Sequence, residues 1–228
     1  MSRSSSNPHM RRKVEPELLD SDCGTPAEIT AALADIVRVN RWFGGVDTSE
    51  CLMRRVVDEL ALDQIELLDV ACGSGDVPLA LVRRFGCRGV RLHPTLLDRS
   101  AAHLPAVPEA VVGDALDLPF PPCSFDLVSC SLFLHHLEPG AIKRFVQEAL
   151  RVARIALVIN DLRRSWLHWA LVASSRPLFR SRMAWRDGVV SVRRAYTEPE
   201  LRTLLAGAGK RVEFSRHYLQ RIGVIVWK

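Results

Sequence analysis

Apolar residues recur along the chain in two rhythms. Behind Thr25-Pro26-Ala27-Glu28, a capping Thr with Pro at the first helical position, Ile29, Leu33, Ile36 and Val37 follow at three- and four-residue spacing and predict a helix. Asn40-Arg41-Trp42-Phe43-Gly44-Gly45 breaks it, and a second helix is predicted from about 47 to 60, with Leu52, Val56, Val57 and Leu60 on one face. The run Ile65-Glu66-Leu67-Leu68-Asp69-Val70 is short and nearly continuous in its apolar character, as in a strand buried on both faces. From there helices and strands alternate: helix 77–85, strand 90–97, strand 110–112, strand 125–132, helix 139–152 and strand 155–159. Pro94 is awkward inside a strand and suggests a shorter one over 95–97. After a long connection at 162–195 come a helix at 197–208 and two closely spaced strands, 211–216 and 222–227. This order predicts a doubly wound α/β sheet of seven strands whose last strand is antiparallel. The predicted division is a disordered tail at 1–24, an N-terminal helical cap at 25–60 and an α/β domain at 61–228, with 162–195 inserted as a lid.

Composition narrows the class. The chain has 228 residues, 48% hydrophobic and 25% charged, which fits one globular domain with a self-sufficient core. Six cysteines at 23, 51, 72, 87, 123 and 130 form no CxxC pair and no zinc spacing, pointing to reduced thiols in a cytoplasmic protein. No apolar stretch is long enough to span a bilayer, and the first ten residues lack the apolar core of a secretory signal.

The chemistry centres on Asp69-Val70-Ala71-Cys72-Gly73-Ser74-Gly75-Asp76, a small-residue turn between a strand and a helix. Small residues let the backbone approach a ligand, and a helix start offers free N–H groups. Asp98 ends the second strand, where an acid can accept ribose hydroxyls. Asp114-Ala115 follows the third, where an acid and a backbone amide can address an adenine edge. A dinucleotide fingerprint would need a third glycine near the helix, and Asp76-Val77-Pro78 supplies none.

In this order, over residues 65–160, the motifs resemble those of the class I S-adenosylmethionine-dependent methyltransferases, with their Rossmann-like sheet. The turn is most similar to that of the ubiquinone/menaquinone-biosynthesis-like methylases, Ala71 standing where the first glycine is usual. The resemblance implies S-adenosyl-L-methionine as cofactor. Asp69, Ala71, Cys72, Gly73, Ser74 and Gly75 would line its methionine end, and Asp98 with Arg99 its ribose. Asp114 and Ala115 would meet its adenine, while Cys130 and Ser131 would face the methyl group.

Methyl transfer is an in-line displacement that demands alignment and sometimes removal of a proton. The pair His135-His136, just past the fourth strand, supplies the candidate catalytic bases, since an imidazole near neutral pKa suits a phenol or enol. His168 and Tyr196 are weaker candidates, and no His, Asp or Glu cluster at metal-ligand spacing appears, so no metal is expected. Trp42 and Phe43 of the cap, and Trp166 and Trp169 of the lid, are the candidate acceptor contacts.

Charge sharpens the choice of partner. The net charge is +5, and residues 163–194 hold eight arginines and a single acid, Asp187, a local +7 that leaves the remainder at −2. The surplus therefore sits on the apolar, tryptophan-bearing lid. It suggests a small apolar acceptor, such as an aromatic polyketide, phenolic lipid or quinone, delivered at an anionic membrane surface by a peripheral contact. A nucleic-acid methyltransferase fits less well. After the fourth strand stands Ser129-Cys130-Ser131-Leu132, not an Asn/Asp-Pro-Pro-aromatic motif, and Pro122-Cys123 precedes that strand instead of forming a nucleophile loop beyond it. A non-catalytic cofactor-binding module is the remaining alternative, against which the intact motif residues stand.

Overall fold

Strand β1 (Gln64–Val70) shows why the sheet is covered on both sides. Ile65 and Leu67 join one apolar cluster, and Leu68 and Val70 the other, as period-two alternation requires. The computed structural model describes residues 10–21 and 24–228. Around β1 lie β2 (Arg91–Asp98), β3 (Ala110–Val112), β4 (Phe125–Ser131), β5 (Ala153–Leu162), β6 (Arg211–His217) and β7 (Arg221–Trp227). They form one seven-stranded sheet in the order β3-β2-β1-β4-β5-β7-β6. β1 to β5 run parallel, and β7 runs antiparallel between β5 and β6. The chain leaves β1 in one direction and returns to β4 on its other side. This switch point opens a crevice at the carboxyl ends of β1 and β4.

The helices follow the expected alternation. α1 (Pro26–Trp42) carries the capping box of Thr25 and Glu28 at its start, the Thr25 N–H donating to Glu28 Oε2 at 2.9 Å. α2 (Gly45–Leu60) and α3 (Asp76–Gly86) cover one face of the sheet through Leu52, Met53, Val56, Leu81 and Phe85. α4 (Pro139–Val152) and α7 (Glu198–Leu204) cover the other through Ile142, Phe145, Ala149 and Leu201. Between β5 and α7 lie α5 (Trp166–Ser174) and α6 (Arg182–Arg194), the latter unforeseen in the arginine-rich connection.

Three expectations change. Pro94 sits within a full-length β2, paired with Leu67. The Leu96 N–H points away from β1, to Glu109 O at 2.9 Å, so two residues earlier the missing N–H of Pro94 faces a side that β3 does not reach. The cap divides: α2 belongs to the sheet layer, and α1 alone roofs the crevice, through Leu33, Ile36, Val39 and Asn40. The tail does not extend to residue 24. Residues 10–21 lie against α6 and the turn after β4, with Met10 and Glu17 buried, whereas 1–9 and 22–23 fall outside the described residues.

Arg221, buried at the start of β7, ties these layers together. It donates from Nε to Phe43 O (3.1 Å), from Nη1 to Asn160 Oδ1 (3.2 Å) and from Nη2 to Asn40 Oδ1 (3.2 Å). Burial brings its pKa down to about 10, against the pull of Asp161 and Asp76. Arg221→Met keeps the volume and strands these acceptors. It is expected to lower unfolding free energy by about 3 kcal/mol in urea titrations. A loss below about 0.5 kcal/mol would show that the α1–α2 corner holds without it.

Candidate cofactor and acceptor site

One cavity of about 990 Å³ fills the crevice, at the top of the range of ~300–1,000 Å³ usual for ligand sites. Its floor is the turn after β1. Ala71 (φ 55°), Gly73 (φ 54°) and Gly75 (φ 71°) all take the left-handed backbone region. Gly73 opens onto free space, whereas a Cβ on Gly75 would stand 2.9 Å from Leu96 Cδ1. Gly73 is therefore the close-approach position, and Gly75 serves the packing of turn against sheet. Across the crevice, Leu132 also has positive φ (56°), a strained conformation for a leucine, held by its N–H on Asn160 O at 2.8 Å.

Ala71, Cys72, Gly73, Ser74, Asp69, Asp98, Arg99, Asp114, Ala115 and Ser131 all line this cavity, as expected of a cofactor site. Asp98 Oδ2 accepts the Gly73 N–H at 2.8 Å and Oδ1 accepts the Ser100 N–H at 3.0 Å, so each oxygen keeps a lone pair for a ligand hydroxyl. Asp114 Oδ1 accepts the Leu116 N–H at 2.9 Å, which fixes the turn after β3. The buried Ser131 hydroxyl has no partner among the described residues. A polar ligand that reaches deep between β1 and β4 would satisfy it, and in this respect the residues fit S-adenosylmethionine.

Other expected residues fall elsewhere. Gly75 and Cys130 do not line the cavity. Cys130 lies wholly inside the sheet, where burial pushes its thiol pKa up, and burial does the same to Cys72. Phe43 reaches the cavity, but Trp42 (59% exposed) and Trp166 (56% exposed) point outward, and Trp169 is half-buried behind the wall. The reason lies in α5: it turns His168 inward, with Nδ1 3.0 Å from Arg163 O, and leaves Trp166 and Leu167 outside. Leu171 and Val172 form the lid wall instead.

The end of the cavity beneath the lid holds residues that the sequence did not point to. Glu17, Asp20, Asp187 and Arg194 line it together with His135 and His136. Asp187 Oδ1 and Oδ2 accept the N–H groups of Leu18 and Leu19 at 2.9 and 3.0 Å, fastening segment 10–21 over the chamber. Arg194 donates to Glu17 Oε1 (3.3 Å), Asp20 Oδ2 (3.1 Å) and the His136 carbonyl (3.1 Å). The early acids of the supposed tail thus answer the arginines of the lid. Arg163, Arg164, Arg176 and Arg193 likewise have partners within the chain, so much of the local surplus is structural. Among the described residues no helix is long and apolar enough to cross a membrane.

Both histidines are oriented by carboxylates. His135 is buried, its N–H on Asp161 Oδ2 (3.1 Å) and its Nδ1 2.7 Å from Asp161 Oδ1. His136 Nδ1 lies 2.9 Å from Asp20 Oδ2. The two Nε2 atoms both face Glu17, at 3.6 and 3.8 Å, so neither is a base directed into open space. Burial pushes Glu17 up to about 7, against the pull of His136 and Arg194. Burial also works to raise Asp20, but His136 and Arg194 outweigh it and bring the carboxyl down to about 2. For Asp161 burial is again outweighed by the His135 imidazole, and the carboxyl stays below its ordinary value.

A cofactor turn at the switch point of this sheet, beside a roofed chamber, defines a class I methyltransferase architecture. The comparisons agree. The family described as Methyltransferase domain matches residues 68–156. An uncharacterised methyltransferase of Synechocystis sp. is 33% identical over 128 residues, 53% of this chain and 59% of that protein. Ajmaline N-methyltransferase of Rauvolfia serpentina is 29% identical over 162 residues, 68% of this chain and 52% of that protein. The solved plantazolicin methyltransferase, in complex with a triazolic desmethyl analogue and S-adenosylhomocysteine, has the same fold at 10% identity, with TM-score 0.67 over 92% of this chain and 93% of that one. Over residues 68–156 the chain is thus similar to methyltransferase domains, and its fold is that of solved S-adenosylmethionine-dependent methyltransferases. The chain spans between half and three fifths of the length of the two curated relatives.

Asp69 offers a test of the cofactor floor. It is buried, accepts the Ser129 hydroxyl, and burial raises its pKa from 3.8 to about 7, with Asp76 and Asp98 adding to the rise. Between pH 3.8 and 7 the unfolded chain ionises this group while the folded chain keeps the proton. Stability is lost across that window, and the full penalty persists above it. Ligand-free Asp69→Asn should therefore melt higher than wild type at about pH 8, by roughly 2–4 kcal/mol in stability, with the gap closing towards pH 4. A variant less stable than wild type at pH 8 would contradict this.

Proposed function

We propose that the chain transfers the methyl group of S-adenosylmethionine to an oxygen or carbon of a small apolar acceptor held beneath α1, α5 and α6. The observation that carries this reading is the single cavity that runs from the turns after β1, β2 and β3 into a chamber walled by Leu33, Ile36, Val39, Leu171 and Val172. When bound, the cofactor supplies a methyl group on a positively charged sulfur. The chain supplies position: the 71–74 backbone and Asp98 fix one end of the cofactor, and Asp114 with Ala115 the other. The lid and segment 10–21 cover the chamber, and its apolar walls would orient a planar or alkyl-bearing acceptor. Holding both reactants in line accounts for several orders of magnitude in rate without covalent participation by the protein. His135 and His136, each resting Nδ1 on a carboxylate, line the chamber beside these walls. An aromatic polyketide, phenolic lipid or quinone suits such walls, and the ubiquinone/menaquinone-like turn points the same way.

Turnover with a panel of hydroxylated aromatics, followed by release of S-adenosylhomocysteine, tests the reading. Gly188 lines the chamber from α6, and a Cβ there would meet Val172 Cγ1 at 3.5 Å, so Gly188→Leu fits its helix and projects into the acceptor space. The variant should lose about tenfold or more in kcat/KM for the acceptor, with S-adenosylhomocysteine affinity within about twofold of wild type. Unchanged kcat/KM would place the acceptor elsewhere.

A further inference from the structure

We propose that the acceptor end of the cavity binds one divalent transition-metal ion through Nε2 of His135, Nε2 of His136 and the carboxylate of Glu17. One ligand atom from each residue lies within 4.8 Å of the other two. The Glu17 oxygens stand 3.6 Å from His135 Nε2 and 3.8 Å from His136 Nε2. Donors about 2.0–2.2 Å from a tetrahedral ion lie roughly 3.4 Å apart, so each imidazole stands within a few tenths of an ångström of the spacing to the Glu17 carboxylate that an ion would set. Glu17 is far from the histidines in sequence, which is why no local spacing betrays the set.

Two further features distinguish it from a chance meeting of polar groups. Each imidazole rests its Nδ1 on a carboxylate, His135 on Asp161 at 2.7 Å and His136 on Asp20 at 2.9 Å. A carboxylate there keeps the proton on Nδ1 and leaves the Nε2 lone pair for a metal, the outer support usual for histidine ligands. Here both histidines have it, and both lone pairs converge on a third carboxylate. Four carboxyl groups, those of Glu17, Asp20, Asp161 and Asp187, also gather at this end, with Arg194 and Arg12 as cationic neighbours. Arg194 touches Glu17 and would have to yield there, but it keeps Asp20 at 3.1 Å and the His136 carbonyl at 3.1 Å.

Two imidazole nitrogens and one carboxylate select Zn²⁺, Fe²⁺ or Co²⁺ over Mg²⁺ or Ca²⁺. All three residues line the cavity, so an ion held by them would be within reach of an acceptor in the chamber. An ion there would take the oxygen of a hydroxylated acceptor: the metal–oxygen bond forms as the O–H proton leaves to solvent, and the bound oxygen becomes a better nucleophile at neutral pH. This last step rests on the methyl-transfer reading. The metal site does not.

The test uses the full chain, stripped with chelator and desalted. It is titrated with Co²⁺ while visible d–d absorption is followed, and dialysed against Zn²⁺ with bound metal counted by elemental analysis. One ion per chain is expected. Glu17→Gln and His136→Ala should each weaken binding about tenfold or more, and the exposed His93→Ala should leave it unchanged. S-adenosylhomocysteine affinity, measured on each variant, reports that the cofactor half remains folded. No Co²⁺ spectrum and substoichiometric zinc in the wild type, or equal binding by the ligand variants, would overturn the proposal. A chain that binds the metal but not S-adenosylhomocysteine would keep the metal site and lose the methyltransferase reading; the converse result would do the opposite.

Discussion

The Asp161 carboxylate, at the carboxyl end of β5, is the contact on which the lid end of the cavity depends. It is fully enclosed and stays ionised, a state that costs several kcal/mol of desolvation unless hydrogen bonds and an opposite charge compensate. His135 compensates twice, with its N–H and with its ring. That pairing fixes the turn after β4 and aims Nε2 at Glu17. Glu17 and Asp20 then draw in Arg194 of α6, and Asp187 of the same helix holds the backbone at Leu18 and Leu19. Sheet, turn, lid and N-terminal segment are thus joined through one chain of charged groups that starts at a strand end.

The cofactor half is built differently, almost wholly from backbone shape. The left-handed residues at 71, 73 and 75 bend the chain so that the Gly73 N–H meets Asp98, and β2 supplies that acid in register with β1. The two halves meet at the ends of β1 and β4, where Ser131 leaves a hydroxyl without a partner.

The sheet was legible because burial on both faces leaves a periodic trace. The runs at 65–70, 125–132 and 155–159 correspond to β1, β4 and β5, and the cofactor turn followed from small residues at a strand end. Segment 10–21 was illegible for the opposite reason. It has no repeat of its own; Met10 is held by Arg164 and Glu17 by Arg194 of α6 and His135 of the turn after β4, contacts between residues more than a hundred positions apart. The tryptophans misled because an apolar helix usually faces inward, whereas α5 is fixed by His168 and by the Ser165 hydroxyl that accepts its N–H at 3.1 Å. The arginine surplus was located correctly, but its meaning changed once Glu17, Asp20 and Glu200 proved to be among its partners.

The central claim is that the turns after β1, β2 and β3 hold S-adenosylmethionine. Calorimetric titration with S-adenosylhomocysteine, on wild type and Asp98→Ala, tests it most directly. One site per chain is expected, weakened by about tenfold to a hundredfold when the Asp98 carboxylate is removed, the loss that follows from a charge-assisted hydrogen-bond pair. A wild-type chain that fails to bind S-adenosylhomocysteine even in the millimolar range would contradict it.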